Sequence, residues 1–137
     1  MEITSEVLAK IRVRNSENHF PQLLGIEIDL VENGRARLSL EVGEKHRQLA
    51  GVMHGGAIAT LIDSAVAMAI VGASESHARF TTIELKINYL LPIVEGRIVA
   101  EARLLRDGKR IVVAECDVFD AVGNLAAKGL LTYMRLN

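Results

Sequence analysis

The segment that most constrains this chain runs from Met53 to Ala73, MHGGAIATLIDSAVAMAIVGA, in which Asp63 is the one carboxylate. About twenty apolar residues are enough to span a membrane, but an acid at the centre of such a span is costly in lipid. Ile58, Leu61, Ile62, Ala65, Val66, Ala69 and Ile70 fall at three- and four-residue spacings, which is the stripe of a helix with one buried face. The segment reads as a buried helix from about Gly55 to Ala73, and no membrane partner is expected. The rest of the chain must then supply apolar faces to cover it.

Those faces come with period two. Ile26, Ile28 and Leu30 alternate with Glu27 and Asp29; after Asn33-Gly34, a favoured hairpin pair, Ala36, Leu38, Leu40 and Val42 alternate with polar residues. Beyond the helix, Ile83, Leu85, Ile87 and Tyr89 are expected on one strand face, with Thr82, Glu84, Lys86 and Asn88 on the other, up to Pro92. Strands over 96–106 and 109–119 meet at Asp107-Gly108, and Gly123-Asn124 turns the chain into a last strand ending near Arg135. A short helix capped by Thr4 or Ser5 and reaching about Val13, with Val7, Leu8 and Ile11 on one face, makes a cover. Residues 43–53 read as an irregular approach to the apolar helix.

This order predicts an α+β fold in which a sheet of five or six antiparallel strands curls around one helix. At 137 residues the chain fits a single domain, 1–137. A partly open sheet leaves edges that a second copy can pair, so at least a dimer is expected. A net charge of -1 without a basic run or aromatic platform gives no footprint for nucleic acid. Cys116 is the one cysteine, and the opening MEITSEVLAKIRVR lacks the apolar stretch of a signal peptide; both favour a reducing cytoplasm. His19, His46, His54 and His77 lack the spacing and companions of a metal-ligand set, so no metal is expected.

The start of the apolar helix is chemically suggestive. Glycine is a poor helix former, yet at a helix start Gly55 and Gly56 let a ligand approach the free backbone N–H groups, where the helix dipole is positive. Such an end can hold a carbonyl oxygen that is becoming negative; it can equally serve only tight packing of loop on sheet. His54 and Asp63 are nine residues apart, which on one helix means roughly 180° around it and about 13 Å along it. They cannot act together within one chain. If both belong to one site, Asp63 comes from a second subunit whose helix runs antiparallel alongside, with Ala59 and Ala67 small enough to permit close approach. Taken alone, Asp63 also fits a structural acid, and His54 a helix cap.

The string from Gln48 to Asp63, QLAGVMHGGAIATLID, together with TTIELKINYLLP and the Asp107-Gly108-Lys109-Arg110 turn, resembles the hotdog-fold acyl-CoA thioesterases, in particular the phenylacetate-pathway and 4-hydroxybenzoyl-CoA-type subgroup. The resemblance covers nearly the whole chain. It implies a hotdog fold dimerising by sheet edges, assembly of dimers into a homotetramer, and hydrolysis of acyl-CoA to free acid and CoA with no cofactor. It further implies that the Gly55 N–H polarises the thioester carbonyl and that Asp63 of the facing subunit is nucleophile or general base. His54 and Gln48 would orient the thioester and assist the leaving thiolate, and Thr82 would position water. Tyr89, Arg106, Gly108, Lys109 and Arg110 would meet coenzyme A, whose phosphates suit Arg and Lys. Two departures stand out: many members have asparagine at the place of Gln48, and one branch has glutamate at the place of Asp63. Two other functions fit a chain of this kind, hydration or dehydration of enoyl and 3-hydroxyacyl thioesters, and acyl-CoA binding without turnover.

Overall fold

The structure is a computed structural model and describes residues 4–75 and 78–137; His77 lies outside the described residues. Its elements in order are α1 (Ser5–Ser16), α2 (His19–Leu23), β1 (Glu27–Glu32), β2 (Arg35–Val42), a 3₁₀ turn over Glu44–His46, α3 (Gly55–Gly72), β3 (Phe80–Tyr89), β4 (Gly96–Asp107), β5 (Ile111–Phe119) and β6 (Leu125–Arg135). The α1 helix continues past the expected stop at Val13, and the side chain of Val7 lies outside the described residues. α2 and the 3₁₀ turn are elements that apolar periodicity does not announce, because each is too short to show a repeat.

The six strands form one sheet in the order β1-β2-β4-β5-β6-β3, with every pairing antiparallel. α3 meets all six strands, which requires the sheet to curl around it. The expected stripe is the core: Leu61, Ile62, Ala65, Val66, Ala69 and Ile70 have no accessible surface. Each large aliphatic side chain buried this way contributes about 1.5–3 kcal/mol relative to exposure. Among the described residues α3 is the one helix long and apolar enough to cross a membrane, and here its apolar face is occupied by the sheet. Gly129 of β6 sits directly under Ile62, where a methyl group would stand 2.9 Å from Cγ2. The helix therefore lies closer to β6 than any larger residue would permit.

Two bulges change which side chains face α3. In β1 the register shifts between Ile28 and Leu30, so Val31 is the buried residue and Leu30 is only half-buried. In β3 it shifts between Thr82 and Glu84. An extra residue in one strand of a pair reverses the alternation beyond it. Thr82 therefore faces α3 on the same side as Leu85, Ile87 and Tyr89, not on the opposite side as plain alternation predicts. β3 is also an edge of the sheet, and Ile83 and Leu85 along it are 52% and 43% exposed.

The approach to α3 is built on His46, which is 2% exposed. The Gly43 N–H donates to its Nδ1 at 2.8 Å, so the ring proton is on Nε2, which donates to the Leu24 carbonyl at 2.7 Å. The His46 carbonyl then accepts from the His54 N–H at 2.7 Å. A buried histidine thus fixes where the helix begins.

Candidate active site

His54 is the N-cap of α3, and its Nδ1 accepts from the Gly56 N–H at 2.8 Å. The Ala57 and Ile58 N–H groups donate to the His54 carbonyl at 3.0 and 3.3 Å. Of the first-turn donors, the Gly55 N–H alone has no acceptor among the described residues. It lies at the positive end of the helix dipole. Because Nδ1 of the exposed His54 is an acceptor, its proton sits on Nε2, which is left free to donate to a ligand.

Tyr89 closes over this end. Its hydroxyl donates to the Gly55 carbonyl at 2.8 Å, and a Cβ at residue 55 would stand 3.2 Å from the tyrosine ring. Glycine here serves the close approach of Tyr89 as well as access to the N–H. Burial pushes the Tyr89 hydroxyl above its ordinary pKa, so it remains a donor. Gln48 is exposed at the mouth of the preceding loop, its Oε1 accepting from the Ala50 N–H at 2.7 Å, which leaves its side-chain NH₂ group to donate elsewhere.

Asp63 belongs to a second cluster, two turns further along α3. Its Oδ1 accepts from Thr82 Oγ1 at 2.9 Å and from the Tyr133 hydroxyl at 2.5 Å, and the same tyrosine hydroxyl lies 2.8 Å from the Asp63 backbone carbonyl. Thr82 and Tyr133 are direct cross-strand partners. Oδ2 has no partner among the described residues, yet no unsatisfied polar atom of the described side chains is buried, so Oδ2 is open to solvent. Asp63 lines a cavity of about 360 Å³ between α3, α2 and β3, whose walls include Phe20, Pro21, Ile26, Leu38, Met68 and Leu85.

Sequence reading missed Tyr133. The available signal was a lone hydroxyl among Ala127, Gly129 and Leu131 on the inward alternation of β6; a buried tyrosine hydroxyl needs a partner. Cys116 is fully buried and its thiol is pushed up by burial and by Asp117 and Glu101, which makes it a packing residue.

One chain does not unite all these groups. Gly55 and Asp63 stand eight residues apart on α3, about 12 Å along its axis, and their partners Tyr89 and Thr82 lie seven residues apart on β3. The exposed Lys109 and Arg110, with Gly108, form the β4–β5 turn beside the exposed Arg106 at the end of β4, and the Gly108 N–H donates to the Ile111 carbonyl at 3.0 Å. Ile111 pairs with Met134 and Tyr89 with Ala127, so the basic turn and Tyr89 lie at opposite ends of β6, about 23 Å apart.

A helix start with an unpartnered N–H, an accessible helix carboxylate and a sheet wrapped around that helix make up the candidate site. Residues 50–127 match the thioesterase superfamily, and the chain belongs to that family: it is a thioester hydrolase of hotdog fold. It is 30% identical over 131 residues to acyl-coenzyme A thioesterase 13 of Homo sapiens, covering 93% of this chain and 92% of that protein. A solved structure of a conserved protein from Pseudomonas aeruginosa is similar with a TM-score of 0.82 and 32% identity, over 85% of this chain and 93% of that one. The PaaI protein of the E. coli phenylacetic acid degradation operon shares the fold, with a TM-score of 0.86 and 20% identity over 93% and 91% of the two chains.

Proposed function

We propose that this chain, 1–137 as one hotdog domain, hydrolyses acyl-CoA thioesters in the cytoplasm, with each active site made by two copies. The observation that carries the proposal is the free Gly55 N–H at the start of α3 on a protomer whose carboxylate lies out of its reach. β3 is an exposed apolar edge, and an antiparallel pairing of two β3 strands centred near Leu85 and Lys86 sets Thr82 opposite Tyr89 of the second copy. That pairing carries Asp63 of one protomer to Gly55 of the other.

In such a site the Gly55 N–H donates to the thioester carbonyl. Asp63, through Oδ2, either takes a proton from the attacking water or attacks the carbonyl itself, and Thr82 sits beside it to hold water. The C–S bond breaks, and the His54 Nε2–H, helped by the Gln48 amide, stabilises the departing thiolate. Tyr89 and the turn of Arg106, Gly108, Lys109 and Arg110 meet the coenzyme A moiety, the basic side chains facing its phosphates. Dimers of this kind assemble further into a homotetramer.

The test is free-thiol release from a panel of aryl and aliphatic acyl-CoAs, comparing wild type with Asp63→Asn. Hydrolysis that falls by about 10²-fold or more in the variant supports the assignment. Full activity in the variant removes Asp63 from the chemistry, and no thiol release by the wild type from any substrate removes the acyl-CoA assignment.

A further inference from the structure

We infer that Tyr133 is a positioning residue for the reaction, and that it fixes which carboxylate oxygen of Asp63 does the work. The inference rests on the proposal that Asp63 acts on the thioester. Tyr133 is 3% exposed, its ring packs against Phe80 with centroids 5.8 Å apart, and its hydroxyl lies within hydrogen-bond distance of both the Asp63 backbone carbonyl and Oδ1. A hydroxyl that donates to Oδ1 while packed against the Asp63 backbone carbonyl restricts rotation of the side chain. Thr82, directly across the strand pair, supplies the second donor to the same Oδ1.

With both donors on Oδ1, Oδ2 is the oxygen left without a partner among the described residues and open to solvent, on a residue that lines the cavity. A carboxylate free to rotate would present either oxygen at varying angles; this one presents a single oxygen in a fixed direction. Burial and the adjacent Asp63 charge push the Tyr133 hydroxyl well above the ordinary tyrosine range, so it keeps its proton and cannot compete as a base. Its role is orientation, exerted through Asp63.

Tyr133→Phe removes the hydroxyl and keeps the ring against Phe80. The expected result is a fall in kcat on the order of tenfold to a hundredfold, KM within about twofold, and a melting temperature close to wild type. The decisive comparison adds Tyr133→Phe to Asp63→Asn. If the tyrosine acts through Asp63, the double variant is no slower than Asp63→Asn alone. Multiplying losses, or a Tyr133→Phe enzyme with wild-type kcat beside an inactive Asp63→Asn, overturns the inference while leaving Asp63 in place. An Asp63→Asn enzyme of full activity overturns the proposal on which it rests.

Discussion

His46 and His54 use the same hydrogen bond for different ends. In each, Nδ1 accepts from a nearby backbone N–H; in His46 the Nε2 proton is committed to Leu24, whereas in His54 it is free. Cap and donor can be separated at His54. His54→Ala loses both and costs about 1 kcal/mol of stability, while His54→Asn keeps a strong cap and loses only the imidazole donor. Melting should therefore be restored in the asparagine variant while thiol release stays low in both. Two other side chains set the alkaline limit of the fold. Cys116 and Tyr133 are both pushed up by burial, from ordinary values of 9.0 and 10.0. Below pH about 8 neither ionises appreciably in either state. Above it the unfolded thiol, then the unfolded phenol, releases a proton that the folded protein retains, so stability falls with rising pH, at about 1.4 kcal/mol per unit for each group. Denaturant midpoints from pH 7 to 10.5 check this, and Cys116→Ala should delay the decline by about one unit.

At the scale of elements, helix α3 was legible because its stripe repeats over several turns, and the hairpin at Asn33-Gly34 because glycine readily takes the positive φ, +78°, that Gly34 adopts. The inward face of β3 was not. Ile83, Leu85, Ile87 and Tyr89 alternate cleanly in sequence, but a bulge is decided by pairing with β6, which local sequence does not encode. That single extra residue brings Thr82 to Asp63. The packing of α3 also turns on a residue with no side chain: a Cβ on Gly72 would overlap the Glu32 carbonyl oxygen at the end of β1. Because backbone rather than a flexible side chain must yield, Gly72→Ala should destabilise by at least about 1–3 kcal/mol, measured as a lowered denaturant midpoint with little change in the KM of the folded fraction.

At the scale of the molecule, the two-copy site makes a prediction that one-chain sites do not. Asp63→Asn and His54→Ala protomers are each defective alone. When mixed and allowed to exchange, half of the dimers are hybrids, each with one intact site and one doubly altered, so activity should recover to about a quarter of wild type. Recovery measured by thiol release after co-refolding supports a shared site, and none after verified exchange argues that each chain works alone. The apolar edge at Ile83 and Leu85 is where the exchange is read: a charged substitution at Ile83 should lower the oligomeric mass and the activity together.

The sequence alone determined the parts whose cause is local or periodic: the buried helix, the strand pairs and their turns, the glycine-opened helix start, and the argument that His54 and Asp63 sit too far apart to cooperate in one chain. Their spacing on a helix is fixed by its geometry, whatever surrounds it. Only the tertiary structure decided what depends on contacts between distant segments: the β3 bulge, the pairing of Thr82 with Tyr133, and the saturation of Asp63 Oδ1 that leaves Oδ2 open. Tyr133 lies 70 residues from Asp63 in the chain, and no local pattern joins them; the closure of β6 onto α3, permitted by Gly129, does.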